Sequence, residues 1–159
     1  MVSQKDEGKE NPSLADINTI GTVAQILRVL KMPDGNTTVI IQGKKRFEVS
    51  EVMTTEPYMT ATIREVDEAR PAKENAEFKE IISSIKELAL TIIKDSPNIP
   101  SEAAFAIKNI ESSSFLINFV SSNLNIPVEE KQKLLEINDL KERALETLRF
   151  MNLELQKLS

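Results

Sequence analysis

Residues 21–58 read GTVAQILRVLKMPDGNTTVIIQGKKRFEVSEVMTTEPY. Ile20 to Lys31 is rich in Val, Ile and Leu, which predicts a long strand buried on much of both faces. Pro33-Asp34-Gly35 follows. Pro33 suits the first central position of a turn and Gly35 can take positive φ, so a hairpin with a small bulge is expected. Thr37 to Gln42 is the return strand, and Gly43 is expected to break it. Phe47 to Ser50 alternates apolar and polar residues, then Glu51-Val52-Met53 shifts the phase, a mismatch that one β-bulge would reconcile. Tyr58 to Asp67 alternates again, with Met59, Ala61 and Ile63 on one face. The sum is an antiparallel meander, or partial barrel-like sheet, of about four strands, preceded by a turn-rich, solvated loop within residues 2–19.

Working outward, the composition changes near Ala69 to Lys73, where Pro71 disfavours helix at Arg70. The expected organisation is a β-rich subdomain over 1–68 and a helical subdomain over 69–159, an α+β chain with about five helices. Asn75 to Lys94 is the clearest amphipathic helix: Phe78, Ile81, Ile82, Ile85, Leu88, Ala89, Ile92 and Ile93 recur at the spacing of one face. Pro97 and Pro100 end it, and Ser101 can cap a short helix through Ile110. Another is expected over Ser113 to Ser122, buried through Phe115, Leu116, Phe119 and Val120. Pro127 opens a helix ending near Ile137. Asp139 and Glu142 have capping-box spacing for a last helix, Leu140 to Leu158.

The bulk chemistry excludes several functions. With 159 residues the chain can hold one domain or two small subdomains. No apolar run approaches the roughly 20 residues of a membrane helix, and the polar amino terminus is not a secretory signal. There is no cysteine and no histidine. That removes disulfides, thiolate or imidazole zinc sites, thiol nucleophiles and histidine acid–base catalysis. None of the four glycines belongs to a phosphate-binding loop or a nucleophile elbow. Acid pairs such as Glu129-Glu130, or Glu65 with Asp67, read as solvated faces. The expectation is a cytosolic, non-catalytic protein with no catalytic, cofactor-binding or metal-binding residues.

Three groups of residues are candidates for contact with partners. Leu148, Met151, Leu155 and Leu158 step by three, four and three, a heptad seam about two heptads long. It either packs against the other helices of the same chain or joins helices in an oligomer. Lys44, Lys45 and Arg46 form a basic trio, read as a solvated hairpin tip or a weak nucleic-acid contact, with Arg46 able instead to pair with an acid across the sheet. No aromatic residues interleave with them, and the net charge of −5 argues against a dedicated nucleic-acid binder. Tyr58, the only tyrosine, lies beside Pro57 where a strand is expected to begin, and reads as a packing residue or a surface contact.

The order of features from Gly21 to Tyr58 resembles the amino-terminal, substrate-recognition domain of ATP-dependent Lon proteases. The tail strengthens the resemblance: Asn123 to Ser159 looks like the helical region after Lon's β-rich part, through Pro127 to Leu135 and then Asn138-Asp139-Leu140-Lys141-Glu142-Arg143. A free-standing Lon-type domain, as in cereblon-like proteins, would share the first pattern but not this tail. The family's opening strand of Leu-Pro-Leu-Arg type, with its Pro-Gly turn and helix, has no counterpart here, and Val2-Ser3-Gln4-Lys5 resembles the end of a later strand. The resemblance therefore implies a chain that begins within the family domain and stops in a long helix leading to an ATPase.

That resemblance implies a non-catalytic module that recognises unfolded, damaged or tagged proteins and helps assemble a hexamer. ATP with Mg²⁺, and a Ser–Lys protease dyad, would belong to later domains of the parent. Self-association is a further expectation, because a sheet lacking its first strands would expose unpaired backbone and an apolar face. The alternatives are a purely structural oligomerisation element acting through the last helix, and a nucleic-acid-binding accessory domain acting through Lys44 to Arg46.

Overall fold

The computed structural model describes residues 1–6, 8–72, 75–96, 100 and 102–158. They form two compact units, Met1–Asp67 and Glu68–Ser159.

In the first unit an open antiparallel sheet has the order β1-β2-β3, with β1 Ile20–Lys31, β2 Thr37–Thr54 and β3 Thr60–Glu65. The expected turn closes β1 onto β2. Gly35 N–H donates to Met32 C=O at 3.0 Å, Met32 N–H donates to Asn36 C=O at 2.8 Å, and Gly35 takes φ +89°. A side chain at Gly35 would meet no steric obstacle but would be held in the left-handed region, the usual reason for glycine there.

Two expectations about the sheet are corrected. Gly43 does not break the return strand: it pairs with Ala24 inside β2, and the extra residue Lys44 is absorbed as a bulge. The two runs expected as separate strands are therefore one strand of 18 residues, and among the described residues the sheet has three strands rather than about four. The phase shift after Ser50 is bulged as expected, and Met53 marks a second irregularity. The other correction concerns β1. Its boundaries match, but most of it is exposed instead of buried on both faces. The reason lies in the register: β1 pairs with β2 over Thr37–Glu48, whereas β3 pairs with β2 over Phe47–Thr54. Only Phe47 and Glu48 have partners in both neighbours, and past the Thr22–Arg46 pair the hairpin runs on as a two-stranded arm.

The base of the arm carries the unit's buried apolar side chains, Ile17, Phe47 and Val49. The amino-terminal segment crosses there. Met1 exchanges two hydrogen bonds of 2.9 Å with Thr22, and Lys5 N–H donates to Asp16 C=O at 2.8 Å. Gly21 permits this close approach, since a Cβ would collide with Met1's carbonyl oxygen and the Val2 side chain. A short 3-10 helix, Leu14–Asp16, closes the loop. Asp16 accepts from Ser13 N–H at 2.8 Å and from Ser13 Oγ at 2.9 Å, and pairs with Lys9 at 2.9 Å. The Ser13 backbone bond, then the Lys9 and Ser13 side-chain bonds, hold its carboxyl down at about 2 from an ordinary 3.8. A depressed folded pKa makes this contribution complete above the unfolded value and lost as pH falls through the folded one. The loop is expected to loosen between about pH 4 and pH 2 in wild type but not in Asp16→Asn, where it is loose throughout. Amide exchange at Ser13 and Lys5 across an acid titration checks this, and an identical acid response in the two proteins would remove Asp16 as the cause.

The second unit is helical: α1 Ala76–Asp95, α2 Glu102–Lys108, α3 Ser113–Asn123, α4 Val128–Glu136 and α5 Leu140–Leu158. Asn75 caps α1 by accepting from Phe78 N–H at 2.9 Å, and Asp139 accepts from Glu142 N–H at 3.1 Å at the start of α5. The expected Pro97 stop and Ser101 cap lie outside the described residues. Ile81, Ile85, Ala89 and Ile92 of α1 meet Leu116, Ile117 and Val120 of α3, Leu134 of α4, and Leu140, Ala144 and Met151 of α5 in one core. Phe115 was expected in it but is exposed, stacked on Phe119 at 6.2 Å between centroids, and Ile117 takes the buried place. Nearly every position from Phe115 to Val120 is apolar, so composition alone does not set the helix phase there.

Candidate functional site

The feature of the first unit least explained by folding is the outer part of the β1–β2 arm. Ile26 pairs with Ile41 and Val29 with Val39. Side chains alternate along a strand, and Val39 and Ile41 are two apart on β2, so both pairs share one face. That face is open: Ile26 is 63% exposed and Val29 57%, and Val39 and Ile41 are exposed too. The opposite face is more polar, pairing Leu30 with Thr38, Arg28 with Ile40 and Gln25 with Gln42. Exposed apolar side chains that adjoin one another, unlike scattered ones, mark a contact surface.

The basic trio lies in β2 rather than at the hairpin tip. Lys44 sits at the bulge, its Nζ 3.2 Å from Gln42 Oε1, and Lys45 reaches Glu65 at 3.3 Å. Arg46 pairs with Thr22, and its carbonyl accepts from Val66 N–H at 3.2 Å. Tyr58 is exposed in the connection before β3, which starts at Thr60, two residues after the position expected to begin the strand. The peptide bond before Pro57 is cis. The arm and the trio belong to one hairpin, whereas Tyr58 lies at the other end of β2.

The heptad seam falls on α5. Met151 is buried in the helical core, and Leu148 and Leu155 pack partly against it. Leu158's side chain lies outside the described residues. Among the described side chains, the exposed large apolar groups of α5 are Leu145 and Leu153, eight residues apart.

Sequence reading missed the polar centre of the second unit. Arg143 is 2% exposed. Its guanidinium donates to Glu68 Oε1 at 2.7 Å, to Asn118 Oδ1 at 3.0 Å and twice to Ile137 C=O at 2.8 and 3.1 Å. Ser114 and Arg70 donate to the other Glu68 oxygen. Ala69 N–H donates to Asn138 C=O and Leu140 N–H to Ala69 C=O, stitching the segment after Asp67 to the α4–α5 connection. The cluster is satisfied from all sides and opens no reactive group, so it reads as a fastening. Among the described residues no group of acids is placed to hold a metal ion, and no helix is long and apolar enough to cross a membrane.

Residues 1–153 match the family model described as the ATP-dependent protease La (LON) substrate-binding domain. The chain belongs to the Lon substrate-binding domain family. It is 71% identical over 158 residues to a Lon protease of Flavobacterium johnsoniae, covering 99% of this chain and 19% of that protein. It is 53% identical over 143 residues to a Lon protease of Karelsulcia muelleri, covering 90% of this chain and 17% of the relative. The chain thus spans about a fifth of the length of these Lon relatives. Among solved structures it resembles the N-terminal domain of a Mycobacterium avium complex Lon protease at a TM-score of 0.73 and 20% identity, over 89% of this chain and 74% of that one. That likeness shows the Lon amino-terminal fold: α+β, with an open antiparallel sheet followed by helices.

Proposed function

We infer that this Lon domain captures unfolded, damaged or tagged polypeptide through the exposed face of its β1–β2 arm. The observation that carries the reading is the two apolar cross-strand pairs, Ile26–Ile41 and Val29–Val39, left open to solvent. A folded protein buries such segments and an unfolded one offers them, so an open apolar face discriminates by folding state. On this reading ATP with Mg²⁺, and peptide cleavage by a Ser–Lys pair, belong to other domains of a longer cytoplasmic protein, and this chain supplies binding only. The oligomerising role expected of α5 has less to draw on, because Met151 is committed to its own core and, among the described side chains, Leu145 and Leu153 are the exposed apolar ones.

A fluorophore-labelled, permanently unfolded model protein tests the reading by anisotropy, with particle mass followed in the same titration. Wild type should bind. Ile26→Asp with Val39→Asp should bind at least about tenfold more weakly, since burying one such side chain is worth about 1.5–3 kcal/mol. The urea midpoint should move little because both sites are exposed. No binding by wild type, or equal binding by the double variant, defeats the assignment to this face. A drop in mass in the variant would move the face from capture to assembly.

A further inference from the structure

β2 has an open backbone side as well as an open face. Along Phe47–Thr54 its outer side is filled by β3, and Val66 extends that line by one bond to Arg46. From Gly43 back to Thr37 no described strand lies there. The ladder tells which groups point that way. Thr22 exchanges both of its bonds with Met1, so the Thr22–Arg46 pair turns outward on both strands. At the other end Met32 N–H bonds to Asn36 C=O, so that pair turns inward. Antiparallel alternation followed from either end agrees: Thr37, Val39, Ile41 and Gly43 direct their N–H and C=O groups away from β1. The run Thr37 to Gln42, TTVIIQ, is uncharged, mostly β-branched and free of proline and glycine, the composition of an edge that recruits another strand. Exposed Lys44 stands at its end. From Ile20 to Phe47 there are five basic residues and one acid, in a chain of net charge −5.

We propose that the open edge of β2, Thr37–Gly43, takes an extended polypeptide segment as an added strand in line with β3, apolar at alternate positions and acidic at its amino end. The proposal rests on the capture reading and supplies its geometry. Running antiparallel to β2, as β3 does, the added segment brings its amino end to Lys44. Charge selects the occupant: a second copy would bring its own five basic residues to the same arm, where like charge opposes pairing, whereas an acid-ended foreign segment is drawn to Lys44.

The test uses the whole 159-residue chain. The probe is a short labelled peptide of alternating Val and Thr with Asp residues at its amino end. Its amides facing β2 are N-methylated in a second version, and its acids are moved to the carboxyl end in a third. Binding of the first should slow amide exchange at Val39 and Ile41 and leave Thr38 and Ile40, already bonded to β1, unchanged. The N-methylated version should bind about tenfold more weakly or worse, from the loss of at least one net hydrogen bond. Lys44→Glu should abolish the preference for the amino-terminal acids. Equal binding of plain and N-methylated peptides, with no slowing at Val39 and Ile41, overturns strand addition while leaving capture by the apolar face intact. If the unfolded model protein also fails to bind, the capture reading falls with it. If the same amides are protected without peptide and the particle mass doubles, the occupant is a second copy and the proposal is wrong.

Discussion

Arg143→Ala is expected to lower the stability of the helical unit by about 3–5 kcal/mol, the range for removing one partner of a buried ion pair. The loss has three sources. Glu68, mostly buried, keeps among the described residues Ser114 and the exposed Arg70. Asn118 Oδ1 loses its bond from Arg143, and the Ile137 carbonyl loses both of the bonds that Arg143 gives it. The space left by a long side chain that was 2% exposed must collapse or fill with water. Replacing both charges, Arg143→Met with Glu68→Leu, should recover a large part of the loss, because no unpaired charge then remains inside. Urea unfolding followed by helical circular dichroism measures both variants. A cost under about 1 kcal/mol for Arg143→Ala would show that water replaces the guanidinium and that the cluster is not the fastening inferred from its geometry.

The second large effect is a contrast between two isoleucines. Ile85→Ala should cost about 2–5 kcal/mol and Ile26→Ala less than about 0.5 kcal/mol. Ile85 is 0% exposed at the centre of α1, within reach of neighbours from the other helices, so truncation leaves a cavity. Ile26 lies opposite Ile41 in the ladder and is largely open to solvent, so truncation removes little buried area. The same chemical change thus separates an apolar residue that folds the chain from one available for binding. Ile26→Ala should weaken capture of the unfolded probe even though its unfolding midpoint stays in place. If Ile26→Ala were as destabilising as Ile85→Ala, the arm would be part of a core and unavailable to a partner.

That contrast also marks how far the sequence could be read. The ends of β1, α1 and α5 were legible because each combines a repeating apolar period with a clear boundary: Pro33 and Gly35 after β1, Asn75 before α1, Asp139 before α5. The family was legible because several modest features keep their order along nearly the whole chain. Exposure of the arm was not, since VAQILRVL has the composition of a buried strand wherever it sits, and only the register shows that β3 stops short of it. Gly43 looks like a break because its place in the strand, beside the bulge at Lys44, depends on a partner nineteen residues earlier in the chain, Ala24. The Arg143–Glu68 pair spans 75 positions and has no local pattern at all. The heptad seam pointed to real apolar positions on α5 but could not say whose core they enter, and Met151 enters its own.

The two-residue overlap at Phe47 and Glu48 has a mechanical side. With the Met1–Thr22 and Val66–Arg46 bonds beside it, it makes the arm a cantilever, clamped over one short strip at its base and free beyond it. A chain lying along β2 and pulled parallel to it would load all of its ladder bonds together, in shear. The same chain lifted sideways would part from the edge one bond at a time, like a zipper. The arm would therefore resist tension along its length and release under tension across it, so the direction of pull, rather than its size, would decide whether the cargo is held or let go.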